Sequence, residues 1–195
     1  MSLTRPGALP TGVWLATGPA ARAHELLLEL ARERLGLTGP YTERLRLGHA
    51  CPGCGSGAHG RPVLLGAPAP VGVSLSRDRT GELAVAALSR TGQVGVDVEA
   101  ATAAGFPGFD ELAVHPDEPT PAGGWTAVER TRLWVRKEAA LKAWGTGLAV
   151  DPRRVRLDDL ADVSLLDVDL GPRWVCALAL QVSGAAPGAR AASAG

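Results

Sequence analysis

The 195-residue sequence predicts an α+β fold, built as a pseudo-dimer of two similar halves with antiparallel sheets. Two observations predict it. A strand, a helix and a hairpin follow one another over residues 12–88, and the same order returns over residues 94–182. We therefore expect an N-terminal half at residues 1–93, a C-terminal half at residues 94–182, and a disordered tail at residues 183–195, which is mainly Ala, Gly, Pro and Ser.

The first half opens with a short apolar strand at residues 12–16 and a helix at residues 20–36. Gly36 provides a natural C-terminal cap for that helix. Residues 38–62 are rich in Gly, Pro and Cys, and they predict an irregular segment. The leucines that give the helix its spacing are Leu26, Leu27, Leu30 and Leu35.

Three alternating segments then follow, at residues 71–76, 83–88 and 94–99. Turn residues separate them, so the pattern predicts a three-stranded antiparallel meander. Residues 100–125 contain four prolines and several glycines, and they predict a second long loop.

The second half contains a helix predicted at residues 126–144. Thr126 is a candidate N-cap and Glu129 stands three residues later, which is the capping-box pattern. Two alternating segments at residues 163–169 and 173–182 predict a final hairpin.

The composition excludes several classes of function. The 20 basic and 20 acidic residues balance, so nothing predicts a general nucleic-acid binder. No apolar run approaches the roughly 18 residues that a membrane span needs, and the first residues do not form a secretory signal. Three cysteines, an odd number, argue against a disulfide framework. We expect a cytoplasmic protein that does not associate with membranes.

The chain contains two lysines, Lys137 and Lys142, among 18 arginines. Both lie in residues 134–142 (Trp-Val-Arg-Lys-Glu-Ala-Ala-Leu-Lys) of the second predicted helix. An ammonium group is a compact point charge, and Arg does not replace it at a phosphate or a catalytic site. The pattern therefore draws attention to this helix as a candidate site.

Residues 95–99 (Gly-Val-Asp-Val-Glu) place Asp97 and Glu99 on one face of a strand. A solvated polar face would explain them equally well. Glu138 lies at the edge of the apolar stripe of the helix, where an exposed Glu138–Lys142 pair would contribute only about 0.3–0.5 kcal/mol. Taken together, Asp97, Glu99 and Glu138 offer oxygen ligands suited to Mg²⁺ or Mn²⁺, and Lys142 beside them favours phosphoryl chemistry.

These two segments resemble the signature motifs of 4′-phosphopantetheinyl transferases. The length and the twofold pattern resemble the surfactin-synthetase-activating type, whose single chain is a pseudo-dimer. The resemblance implies the fold of that family, a monomer, and transfer of the phosphopantetheine arm of coenzyme A to a serine of an acyl or peptidyl carrier protein. The by-product would be adenosine 3′,5′-bisphosphate, and the pathway would be fatty-acid, polyketide or nonribosomal peptide synthesis.

The resemblance also implies roles for the second half. Asp97, Glu99 and Glu138 would hold Mg²⁺ or Mn²⁺, and Asp97, Glu138 and Lys142 would be catalytic. Glu138, or a water bound to the metal, would take the proton from the carrier serine. Lys142 would stabilise or protonate the leaving phosphate.

Coenzyme A would contact mainly the first half. Gly60-Arg61-Pro62 resembles a basic segment that binds coenzyme A in the family, and residues 74–76 occupy the place of its Ser-His-Ser. Leu75 replaces the His, so the 3′-phosphate would rely on Arg61, Arg77 or Arg79. The coenzyme A contacts implied in this way are Arg22, Arg61, Ser74, Ser76, Arg77 and Lys142.

Four further candidate metal ligands, His49, Cys51, Cys54 and His59, lie within eleven residues. They are zinc-type ligands, although a complete tetrahedral site in so short a span would be strained. Two other functions therefore stay open. One is a catalytically weakened module that binds coenzyme A or the carrier, and the other is a zinc-ordered interaction domain whose acidic strand is only surface.

Overall fold

The computed structural model describes residues 9–51 and 53–181, so the tail predicted to be disordered lies outside the described residues. The fold is α+β with antiparallel sheets and few helices. Within the described ranges, no helix is long and apolar enough to cross a membrane. The elements in chain order are β1 (Val13–Pro19), α1 (Ala23–Leu35), α2 (Pro40–Arg44), β2 (Arg46–Ala50), β3 (Arg61–Leu65), β4 (Gly72–Arg77), β5 (Leu83–Ser89), β6 (Val94–Ala100), α3 (Phe109–Ala113), α4 (Ala127–Trp144), β7 (Val163–Val168) and β8 (Trp174–Gln181).

The first sheet has the antiparallel order β1-β5-β4, and α1 packs on it. Leu27 and Leu30 of α1 are fully buried in the same apolar cluster as Leu88 of β5. The helix ends as predicted, because Gly36 adopts a left-handed φ of 64° and its N–H bonds to the carbonyls of the last turn.

The second sheet has the antiparallel order β6-β8-β7. In both sheets the strand that comes last in the chain lies in the centre, between the other two strands. The predicted helix and hairpin are confirmed as α4, β7 and β8. The capping box is present: Glu129 N donates to Thr126 Oγ1 over 3.2 Å, and Thr126 N donates to Glu129 Oε2 over 2.8 Å.

The predicted meander is wrong, because β6 does not pair with β5. It pairs with β8 in the second sheet, with Asp97 opposite Ala177. Val96 and Val98 are fully buried in a cluster that also holds Leu15 and Val85 of the first sheet. The apolar face of β6 therefore packs against the first sheet, and this burial between sheets decides where the strand lies.

The two segments predicted to be irregular both contain structure. Residues 38–62 include α2 and most of an antiparallel hairpin of β2 and β3, and residues 100–125 include α3. The strands β2 and β3 are short and mostly half-buried or exposed, so their sequence has little apolar alternation. Such strands form through pairing and through Leu47 and Leu64, which pack against the first core.

Candidate functional site

A close contact between α4 and β6 brings the candidate residues of the second half together. Gly95 makes this contact possible, because a Cβ there would collide with the carbonyl oxygen of Ala139 in α4. Asp97 and Glu99 follow on β6, and Glu138 and Lys142 lie on α4. All four line one cleft of about 440 Å³.

Residues that precede β6 in the chain supply most of the rest of this cleft. Leu75, Ser76 and Arg77 of β4 line it, and so does Arg79 in the turn that follows. The sequence patterns do not place the other lining residues in the cleft. The hairpin β2–β3, α1, and α4 with the turn after it each bring some of them there. These lining residues are His24, Leu47, His49, Pro62, Trp134 and Leu148.

The ammonium group of Lys142 donates to three acceptors. Its Nζ lies 2.7 Å from Asp97 Oδ1, 3.2 Å from Ser76 Oγ and 3.1 Å from the Val96 carbonyl oxygen. These contacts use all three ammonium donors. The sequence suggested an ion pair between Lys142 and Glu138, one helical turn away. In the structure Lys142 pairs with Asp97 of β6 instead.

Asp97 is 5 % exposed and contacts Ser76 of β4 and Lys142 of α4. Its Oδ1 also accepts a hydrogen bond of 2.7 Å from Ser76 Oγ. Its Oδ2 is buried without any hydrogen-bond partner. Asp97 is thus a buried, partly satisfied carboxylate, and the interpretation of the acidic strand as a solvated surface is wrong.

Glu138 is 9 % exposed, and its Oε1 is buried without a hydrogen-bond partner. Burial raises the pKa of this carboxyl, and the charges of Asp97 and Glu99 raise it further, against the opposing effect of Lys142. A group of this kind gains a proton more readily than an exposed Glu, which is the property a general base requires.

Glu99 is 8 % exposed, and burial is also the main cause that raises its pKa. Arg79 opposes this effect: its backbone N donates to Glu99 Oε2 over 3.1 Å, and its Nε lies 3.6 Å from Oε1. Arg79 therefore joins the turn after β4 to the acidic strand, and it brings positive charge to the cleft.

The donor set of the cleft fits a hard divalent cation. Three carboxylates line the cleft. Asp97 and Glu138 each have a buried oxygen without a hydrogen-bond partner, and this oxygen could become a ligand of such an ion. The three side chains do not form a closed coordination sphere. Among the residues that the structure describes, only Cys51, Cys54 and His59 place one ligand atom each within 4.8 Å of one another.

Two of the residues expected to bind coenzyme A lie away from the cleft lining. Ser74 is 2 % exposed, and its Oγ accepts a hydrogen bond from Val96 N between the two sheets. Arg22 lines a separate small pocket and pairs with Glu25 at 2.7 Å and Glu29 at 2.9 Å.

The other expected contacts lie in the cleft or next to it. Arg77 lines the cleft and donates to the Ala20 carbonyl over 3.2 Å, while Ser76 is tied to Asp97 and Lys142. Arg61 is half-buried at the start of β3, beside Pro62 of the cleft wall.

The two lysines have different surroundings. Lys137 is fully buried outside the cleft, where Nζ donates to the Ala113 carbonyl over 2.8 Å and to the Pro152 carbonyl over 3.3 Å. Its Nζ also lies 3.3 Å from Glu118 Oε2. Burial lowers the pKa of Lys137, and Glu118 acts in the opposite direction. Of the two, only Lys142 is placed to act in the cleft.

A comparison with known protein families finds a match to the part of the chain that carries these acidic residues. Residues 93–188 match the family model of the 4′-phosphopantetheinyl transferase superfamily, over just under half of the chain. No curated protein matches the chain. The matched segment begins beside β6, includes α4 and contains all three carboxylates and Lys142. The C-terminal half of this protein therefore matches the 4′-phosphopantetheinyl transferase superfamily, which supports a transferase.

Proposed function

We propose that this protein transfers the 4′-phosphopantetheine group from coenzyme A to a serine of an acyl or peptidyl carrier protein, with Mg²⁺ or Mn²⁺. The observation that carries the proposal is the single cleft shared by Asp97, Glu99, Glu138 and Lys142. The family match over residues 93–188 supports the same reaction.

In this reaction the serine oxygen attacks the phosphorus that carries the pantetheine arm. A new P–O bond forms, and the bond from that phosphorus to the bridging oxygen of the diphosphate breaks. Adenosine 3′,5′-bisphosphate leaves with the bridging oxygen. The serine proton passes to Glu138, whose pKa is raised mainly by burial.

Lys142 supplies positive charge to the leaving phosphate. Since its three donors contact Asp97, Ser76 and the Val96 carbonyl, a hydrogen bond to phosphate requires the exchange of one of these contacts. Arg77 and Arg79 line the same cleft, and we propose that they hold the 3′-phosphate in place of the His that Leu75 replaces.

Asp97, Glu99 and Glu138 would hold the divalent cation. Two buried carboxylate oxygens without hydrogen-bond partners support this assignment. When bound, the cation would neutralise charge on the diphosphate.

The two halves would act as a pseudo-dimer within one chain. The equal strand order of the two sheets and the shared cluster of Leu15, Val85, Val96 and Val98 support this arrangement. Because both halves already contribute to the cleft, we expect a monomer. Light scattering on the purified protein measures this directly.

The test of the function is a mass measurement. The protein is mixed with Mg²⁺, coenzyme A and an apo carrier protein, and the carrier is weighed by mass spectrometry. We expect a mass increase equal to one phosphopantetheine arm, and no increase after chelation of the metal. An unchanged carrier, tested across acyl and peptidyl types, would contradict the proposal.

A second candidate is a binding module with weakened catalysis, which Leu75 in the cleft wall favours because leucine cannot hydrogen-bond a phosphate. Calorimetric titration separates the two candidates. Binding of coenzyme A or of the carrier without any change in carrier mass would favour the module.

A further inference from the structure

The loop between β2 and β3 brings three metal-type ligands together outside the cleft. Cys51, Cys54 and His59 each present one ligand atom, and the three atoms lie within 4.8 Å of one another. Cys54 Sγ lies 3.4 Å from His59 Nε2. Cys54 and His59 are exposed and Cys51 is half-buried, so an ion can reach the cluster from solvent.

Local backbone contacts hold this cluster in place. Cys51 N donates to the Ser56 carbonyl and Gly55 N donates to the Cys51 carbonyl, each over 2.9 Å. These two bonds hold the turn that carries both cysteines.

The returning chain is equally constrained. Gly60 has a φ of 103°, and a Cβ there would lie 2.6 Å from the Cys51 Cα. Only glycine permits both the backbone conformation and the close approach. This approach places His59 next to the cysteines, although His59 follows Cys54 by five residues and Cys51 by eight residues along the chain.

The chemistry of the three ligands favours zinc. Two sulfur atoms and one imidazole form a donor set typical of Zn²⁺, whereas Mg²⁺ requires oxygen ligands. Tetrahedral zinc with bonds of about 2.0–2.3 Å places neighbouring ligand atoms roughly 3.3–3.8 Å apart. The observed cluster matches this spacing closely enough to close around one ion with small side-chain movements.

We propose that Cys51, Cys54 and His59 bind one Zn²⁺ ion, with solvent in the fourth position. His49 does not complete the set, because it is not among the residues whose ligand atoms lie within 4.8 Å of one another, and it lines the cleft instead. The ion fixes the loop that joins β2 to β3. Leu47 and Pro62 of these two strands also line the cleft, so the zinc site braces one wall of it without contacting the acidic residues.

The first test is metal content. Wild-type protein purified without chelator is expected to hold one zinc per chain, and Cys54→Ser, at an exposed position, is expected to lose it while keeping its fold by circular dichroism. Cys176→Ala is the matched control, since Cys176 is buried in β8 and is expected to leave the zinc in place. His49→Ala is also expected to retain zinc.

The second test replaces zinc by Co²⁺. We expect thiolate-to-cobalt absorption in the wild type and in Cys176→Ala, and its loss in Cys54→Ser. Limited proteolysis reports on the loop itself: residues 53–60 should resist cleavage with zinc bound and become sensitive after chelation. Neither readout depends on transferase activity, so failure here is distinct from failure of the proposed function.

Three results would overturn the inference. The first is reduced wild-type protein that takes up neither zinc nor cobalt. The second is a Cys54→Ser variant that retains stoichiometric zinc. The third is a Cys51–Cys54 disulfide in protein purified under reducing conditions.

Discussion

Glu138 combines two properties that both disfavour its charged form in the folded protein. It is buried with one oxygen unpartnered, and it lies near two other acidic side chains that raise its pKa in addition to burial. Such a group costs stability unless a function retains it. We therefore expect that its removal lowers activity and does not lower stability.

The variant Glu138→Gln tests this expectation. Gln keeps the shape but cannot accept the serine proton, so transfer should fall by about 10²–10⁴-fold, the usual contribution of a general base. The melting temperature should be unchanged or higher. Glu111→Gln, at an exposed position of α3, is the control and should retain full activity. A folded Glu138→Gln protein with near-normal transfer would refute the role of Glu138 as the base.

Leu75 is the second informative residue, because it lines the cleft at the position where the resemblance of residues 74–76 to a Ser-His-Ser segment implies His. We expect Leu75→His to tighten coenzyme A binding through a new hydrogen bond, by roughly 5–15-fold if it contributes about 1–1.5 kcal/mol. Calorimetric titration measures the change. Leu75→Ala separates loss of bulk from gain of the imidazole. An unchanged affinity would mean that Arg77 or Arg79 already serves the phosphate.

At the scale of the element, α4 has different roles on its two sides. One side presents Glu138 and Lys142 to the cleft, while the other buries Lys137 against Ala113, Pro152 and Glu118. Lys137 therefore anchors the helix to the loops before and after it. The positive charge of Lys137 therefore has a structural explanation, separate from catalysis.

Lys137→Met should destabilise the protein by about 3–5 kcal/mol, because it leaves Glu118 buried without its partner. Denaturation with urea measures the loss, and Lys137→Met combined with Glu118→Gln should recover part of it. Arg136→Met is the control on the same helix, since its partly exposed pair with Asp167 should contribute only about 0–1 kcal/mol. Equal losses for Lys137→Met and Arg136→Met would contradict the anchoring role.

At the scale of the whole molecule, the apolar cluster that joins the sheets should make the two halves unfold together. Leu15→Ala, in the first half, should cost about 2–5 kcal/mol and lower the protection of β8 amides in the second half. Hydrogen exchange measures this coupling. Leu65→Ala is the control, because Leu65 is 50 % exposed. Full protection of β8 in Leu15→Ala would show that the halves unfold independently.

The sequence predicts those parts of the fold that depend on local signals. The cap at Gly36, the capping box of Thr126 and Glu129, and the shared face of Asp97 and Glu99 are all of this kind. The rest depends on distant contacts. Nothing near β6 indicates that Val96 packs against the first sheet, and nothing near Lys137 indicates that Glu118 reaches it.

The bare backbone at Gly95 has a consequence for the whole cleft. With no side chain between strand and helix, the gap between them is set by main-chain atoms in direct contact. We therefore expect that changes in the size of other core side chains have little effect on the distance between the carboxylates of β6 and that of α4. The contact between the two backbones thus sets the spacing of the negative charges in the cleft.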